Sequence, residues 1–186
     1  MKFYTSLLRL TACACLALYG ANSAIAASGE NNPQPKTTAN YGDIVYFNGK
    51  GEKKCILSIP ETKAMFDFSD SSQSCTDNMV ASFSLENVPS ATLIQFYEGT
   101  HCSDAQTKDN FFVKLKTVKQ PTDWTSPPNP PTPTMNFNDF KKRKAGDLIP
   151  NRYIRVEAQH EGEDFANEDW DERISCVYIE RSQPVN

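Results

Sequence analysis

Residues 79–98 constrain the chain most. Met79, Ala81, Phe83 and Leu85 alternate with mostly polar neighbours, and after Pro89-Ser90 the alternation resumes, Ile94 and Phe96 against Gln95 and Tyr97. A period of two is the spacing of a strand with one buried face, because successive side chains point to opposite sides of a sheet. Pro89 has no N–H for a ladder and presets a turn dihedral, so it divides the run into two strands, Met79–Val88 and Thr92–Glu98. Six more runs follow the same grammar: Ile44–Phe47, Lys53–Ile59, Ala64–Phe68, Phe111–Val118, Arg152–Ala158 and Arg173–Arg181. Asn48-Gly49 reads as a two-residue hairpin, since both positions tolerate positive φ. One or two helical turns are expected over Asn138–Lys144, ahead of Gly146 and Pro150. Eight short strands with turn signals between them predict an all-β sandwich or barrel.

A length of 186 residues suits one domain. Residues 1–26 have the form of a signal peptide: basic Lys2 and Arg9, an apolar stretch from Leu10 to Tyr19, and Ala24-Ile25-Ala26 as a cleavage site. The apolar stretch is too short to span a bilayer. Leu10-Thr11-Ala12-Cys13 also resembles a bacterial lipoprotein cleavage box, an alternative that leaves hardly any apolar region before the cut. Residues 27–40 are polar and aperiodic, a disordered lead. A single domain is then expected over 41–183, broken by a Pro-rich insertion at 119–150, with six prolines between positions 121 and 134. Such a run is a linker or long surface loop, or a polyproline ligand for an aromatic groove.

Cys13 and Cys15 leave with the signal, and Cys55, Cys75, Cys102 and Cys176 remain. Four cysteines in an exported chain imply two disulfides, with three pairings open. Their spacing of 20 residues or more lacks the close pairs of a zinc site. The expected location is secreted or periplasmic.

Losing Lys2 and Arg9 lowers the 19 Lys and Arg to 17, against 23 Asp and Glu. That excess of acid argues against a nucleic-acid partner, whose phosphates need a basic face. No further segment suits stable membrane insertion. Lys141-Lys142-Arg143-Lys144 is a small basic footprint, and Glu161–Glu172 holds seven carboxylates in twelve residues. The two stretches either face one another or stay solvated with ordinary ion pairs.

Two segments of the chain are alike. Asp77-Asn78 leads into MVASFSLENV and Asp171-Glu172 into RISCVYIE, with DIVYFNGKG upstream of the first and LIQFYEGTHCSD upstream of the second. Such a repeat suggests two Greek-key motifs. Phe96-Tyr97-Glu98 resembles the aromatic-Glu element of the βγ-crystallin family, with Cys102 where an aromatic is usual and Asp104 where glycine is usual. Asp77-Asn78-Met79-Val80-Ala81-Ser82 resembles that family's calcium motif except at Ala81, and Asp171-Glu172-Arg173-Ile174-Ser175-Cys176 except at Glu172 and Cys176. The resemblance covers residues 41–120 and 150–183, and a second all-β family could fit the same strands. It implies a Greek-key β-sandwich of eight strands and calcium as the candidate cofactor. Asp77, Asn78 and Ser82 would supply one half-site, Asp171 and Ser175 the other. The plainer alternative is that Asp-Asn caps a loop through backbone hydrogen bonds.

His101 and His160 are the only histidines, and neither lies in a nucleophile or metal motif. The chain is therefore read as non-enzymatic, a recognition protein that acts by binding a protein partner. Relatives of the resembled fold include metalloprotease inhibitors and killer-type toxins. For the first, the expected contact loop is Gly99–Asp104, with Gly99, Thr100 and His101 held by Cys102. For the second it is the Pro-rich insertion with Lys141–Lys144. Trp124 and Trp170 fall in loops, where each either anchors a partner or folds back over the core. A calcium-binding structural module and a small secreted hydrolase are the alternatives, and oligomeric state is left open.

Overall fold

The computed structural model describes residues 40–119, 122, 134–149 and 152–182. The expected signal peptide, residues 27–39 of the lead, and most of the Pro-rich run, Trp124 included, lie outside the described residues.

All eight expected strands form, and two short ones join them. In chain order they are β1 (Asp43–Phe47), β2 (Lys53–Ser58), β3 (Lys63–Asp67), β4 (Ser82–Glu86), β5 (Thr92–Tyr97), β6 (Phe111–Thr117), β7 (Met135–Asn136), β8 (Leu148–Ile149), β9 (Ile154–Glu161) and β10 (Cys176–Arg181). They build two antiparallel sheets, one in the order β2-β1-β4-β7 and the other β3-β10-β5-β6-β9-β8. In each half of the chain one strand changes sheet. β1, β2 and β4 stay together while β3 crosses over, and β5, β6 and β10 stay together while β7 crosses back. The β8–β9 pair widens the second sheet beyond β6.

The sheets share one core, with Ile44, Tyr46, Leu57, Phe83 and Leu85 from the first and Ile94, Phe96, Leu115, Val156 and Ile179 from the second. Phe83 of β4 meets Phe96 of β5 at 4.8 Å between ring centroids, so the strands flanking Pro89 lie in different sheets and lock them together. Phe137 packs on both rings, at 5.5 and 5.1 Å. Each such ring contributes about 1.5–3 kcal/mol by leaving water.

Several expectations are corrected. Met79 is 37% exposed and precedes β4. The Ala81 N–H bonds the Phe47 carbonyl and the Ala81 carbonyl accepts from the Phe137 N–H, so the ladder begins only at Ser82. Gln95 and Tyr97, on the expected wet side of β5, are 7% and 3% exposed. The Tyr97 hydroxyl donates to Gln95 Oε1 at 2.7 Å, and Tyr97, Phe112 and Cys176 form a second small cluster with Cys102, Ala158 and Tyr178. The β1–β2 turn is not the two-residue type, because its positive φ falls at Gly51. Asn48 Oδ1 accepts from the Lys50 and Glu52 N–H groups and holds a longer loop closed. Within the expected insertion, Met135–Ile149 carries β7, a 3₁₀ turn at Phe137–Phe140 and β8. The turn is a single one, closed by a capping box between Asn136 and Asp139.

The cysteines pair as Cys55–Cys75 and Cys102–Cys176. Disulfides persist where thiols are oxidised, so the two bridges point to an oxidising, extracellular or periplasmic environment. Among the described residues no helix is long and apolar enough to cross a membrane. Trp170 takes the second of its two expected roles: it is fully buried, stacked on Phe111 at 4.1 Å.

Candidate functional site

The sequence repeat has a backbone counterpart. Asn78 and Glu172, the second residue of each Asp-x pair, both adopt the left-handed conformation, φ 55° and 57°. Three residues further on, the Ala81 N–H donates to Phe47 and the Ser175 N–H to Tyr97. The Ala81 carbonyl accepts from Phe137, and the Ser175 carbonyl from Phe68. Both arches therefore pass through a left-handed residue and then bond a strand of their own half through the N–H and a segment of the other half through the carbonyl. A left-handed residue with a side chain is uncommon outside such turns. Ser82 and Ser175 are both buried, 7% and 5% exposed.

The arches differ in their side chains. Asp77 has a buried Oδ1 with no hydrogen-bond partner. Glu98 is close enough to feel its charge: burial pushes the Glu98 carboxyl up, Asp109 and Asp77 add to that, and Arg173 opposes it. At the second arch the carboxylate is satisfied. Asp171 accepts from Asn136 Nδ2 at 3.1 Å on one oxygen and from Asn138 Nδ2 at 3.0 Å on the other. Burial still pushes its carboxyl up, against the Asn136 hydrogen bond and with Asp169, Glu172 and Asp139 nearby. Glu172 Oε1 accepts the Gly49 N–H. Among the described residues no group of three or more His, Cys, Asp or Glu side chains is placed to hold a metal ion. Calcium also takes carbonyl, amide and hydroxyl oxygens, so the donor set that bears on it is wider. The orphaned Asp77 oxygen fits a hard cation, whereas at Asp171 two amide groups already fill that role.

The second constellation is the turn after β5. Thr100–Cys102 is a 3₁₀ turn in which His101 and Cys102 both have positive φ, 65° and 52°. Non-glycine residues in that region cost of order 1–3 kcal/mol each, and persist only where surrounding contacts hold them. Here the contacts are explicit. Cys102 is bonded to Cys176, a fully buried residue of β10. The His101 N–H donates to Asp67 Oδ2 at 3.3 Å, and hydrogen bonds from Ser69, more than those from His101, hold the Asp67 carboxyl below the usual range. Downstream, Asn110 Nδ2 donates to the Ser103 and Ala105 carbonyls at 3.2 and 2.7 Å, and Lys114 pairs with Asp104 at 2.9 Å. The His101 side chain stays 82% exposed, with its Nδ1 3.0 Å from Thr100 Oγ1.

Among the described residues, the basic and acidic stretches meet through Lys141. Its ammonium donates to the Phe165 and Glu168 carbonyls and lies 3.3 Å from Glu161 Oε1. It is a strut inside the acidic loop, not part of a free basic patch. His160 packs tilted against Phe112, with its Nε2 2.8 Å from the Thr107 carbonyl oxygen. No sequence signal pointed to Asn110, Asn136 or Asn138 as loop-holding residues, since an isolated asparagine reads as a turn former. Comparison with known proteins finds no matching family model, no significantly similar curated protein and no significantly similar solved structure.

Proposed function

We propose that this chain is a secreted, non-enzymatic recognition module on a Greek-key sandwich of the βγ-crystallin type, and that it binds a protein partner through Gly99–Asp104. The scaffold reading is supported by the exchange of β3 and β7 between sheets, one strand given by each half of the chain. The binding reading is carried by one observation: two consecutive residues with side chains, His101 and Cys102, are held in the left-handed region, Cys102 tied down by its disulfide and His101 turned to solvent. Strain of this kind gathers at binding loops, where the scaffold pre-orders the contact and removes the entropy cost of ordering it on association. A 3₁₀ turn is not the extended strand that a protease cleft pairs with. The loop therefore acts as a knob that fills a pocket, its rim formed by Thr100 and His101. The test compares the oxidised protein with a Thr100→Ala/His101→Ala variant in capture from secreted and cell-surface protein mixtures. A partner kept by the parent and lost by the variant, at unchanged melting temperature, is the expected result. Identical capture by both proteins overturns it.

A second reading, a calcium-stabilised module, is favoured by the buried Asp77 oxygen that has no hydrogen-bond partner. A ligand that binds only the folded chain stabilises it by mass action, about 2.7 kcal/mol at a hundredfold excess over Kd. Thermal unfolding in millimolar calcium and in EDTA decides it. A higher melting temperature in calcium, lost in Asp77→Asn but kept in Asp171→Asn, supports the reading, and equal melting temperatures remove it.

A further inference from the structure

We propose that the open edge of β3 is the contact surface of a homodimer, in which two copies pair antiparallel about Met65. β3 ends the six-stranded sheet, with β10 on its inner side and no strand on its outer side among the described residues. The hydrogen-bond phase follows from its ends. The Thr62 carbonyl accepts from the Arg181 N–H at 2.7 Å, and the Phe68 N–H donates to Ser175 at 2.8 Å, so the even-numbered residues turn their backbone groups toward β10. In an antiparallel ladder the backbone groups alternate sides. Lys63, Met65 and Asp67 therefore point theirs outward, and among the described residues the only bond to these outward groups is the Asp67 carbonyl's, from the Asp70 N–H at 3.1 Å.

An edge of this kind is a template for another strand, and the sequence KAMFD specifies which one. Set against itself about Met65, Lys63 faces Asp67 of the second copy, Asp67 faces Lys63, and the two methionines meet on the dyad. Directly opposed opposite charges and apolar pairs are the stabilising cross-strand combinations. A two-residue slip places Met65 opposite a charged residue and leaves the other charges unmatched. A one-residue slip turns the wrong backbone groups to the interface. Met65 is also the most exposed large apolar side chain among the described residues, at 52%. Lys63 is exposed and makes no ion pair among the described residues, while Asp67 is held ionised by its local hydrogen bonds. Such an isologous contact joins two six-stranded sheets into one and closes on itself, as a two-fold pair must. Its small area makes it a weak, concentration-dependent dimer.

Sedimentation equilibrium of the oxidised protein, up to hundreds of micromolar, tests this. The expected mass rises from one copy of 20.8 kDa, less any cleaved leader, toward two. Met65→Pro removes an outward N–H that β10 does not use, which an edge strand tolerates. That variant is expected to stay monomeric with an unchanged circular dichroism spectrum. Lys63→Glu sets like charges opposite each other and is expected to weaken association at least tenfold while folding normally. A mass that stays at one copy at every concentration overturns the proposal. So does a dimer that survives Met65→Pro in a folded protein, or one indifferent to Lys63→Glu, since another surface then holds it.

Discussion

Lys141 Nζ lies 3.3 Å from Glu161 Oε1 without hydrogen-bond alignment, so the carboxylate oxygen stays buried and unbonded while the ammonium donates to the Phe165 and Glu168 carbonyls. The lysine supplies the positive charge around which the acidic loop is folded, and its ammonium lies over the Trp170 ring, 6.0 Å from the ring centre.

Lys141→Met keeps much of the stem and removes the charge. It should cost about 1–3 kcal/mol, because the Phe165 and Glu168 carbonyls lose their donor and the buried Glu161 oxygen loses the positive charge beside it. Lys142→Met, at an exposed neighbouring position, should stay within about 0.5 kcal/mol of the parent. Chemical denaturation of both variants measures the difference.

The two disulfides close loops of different length, with sequence separations of 20 and 74. In the chain-entropy model the longer loop gives the larger stabilisation, about 4.5 kcal/mol against about 3.3. Replacing Cys102 and Cys176 with serine should therefore lower the denaturation midpoint more than replacing Cys55 and Cys75. The same change should release the Thr100–Cys102 turn and weaken partner capture, an effect that the Cys55/Cys75 pair should not share.

Burial, reinforced by Asp109 and Asp77, raises the Glu98 carboxyl above its usual range. A carboxyl raised in the folded state binds its proton more tightly there than in the unfolded chain. The stabilisation it gives is complete below the ordinary Glu range and is lost as pH rises through the folded value. At neutral pH the charged form is a small burden, reduced further by solvent screening. Glu98→Gln should thus raise the melting temperature slightly at pH 7, and the gain should vanish in mild acid. A scan of melting temperature against pH for parent and variant checks the sign.

Gly162 N–H donates to the Asn110 carbonyl at 2.9 Å, and a Cβ there would lie 2.3 Å from the Lys108 carbonyl oxygen. Backbone cannot yield as a side chain does, so Gly162→Ala should cost about 1–3 kcal/mol. Gly51 has φ +77° but open space around its Cβ position, so Gly51→Ala carries the left-handed strain alone, about 1–2 kcal/mol. Urea midpoints should fall in that order or close together, and a larger loss at Gly51 would contradict the packing argument.

The eight strands were legible because alternation is a local property, written in each run by the cost of exposing apolar side chains. The four paired cysteines were legible by count and compartment, and so was the likeness between the Asp77 and Asp171 segments. Two-residue strands such as β7 and β8 carry no period and exist only because a longer neighbour offers them a ladder. The disulfide pairing, the exchange of β3 and β7 between sheets, and the meeting of Lys141 with the acidic loop are contacts between residues far apart in the chain. No local pattern encodes them. The candidate sites divide along the same line. That Asp77 and Asp171 occupy matching positions is written in the sequence. That one keeps a buried, unbonded oxygen while two asparagines satisfy the other was decided by what the fold brings against each, through hydrogen bonding and burial.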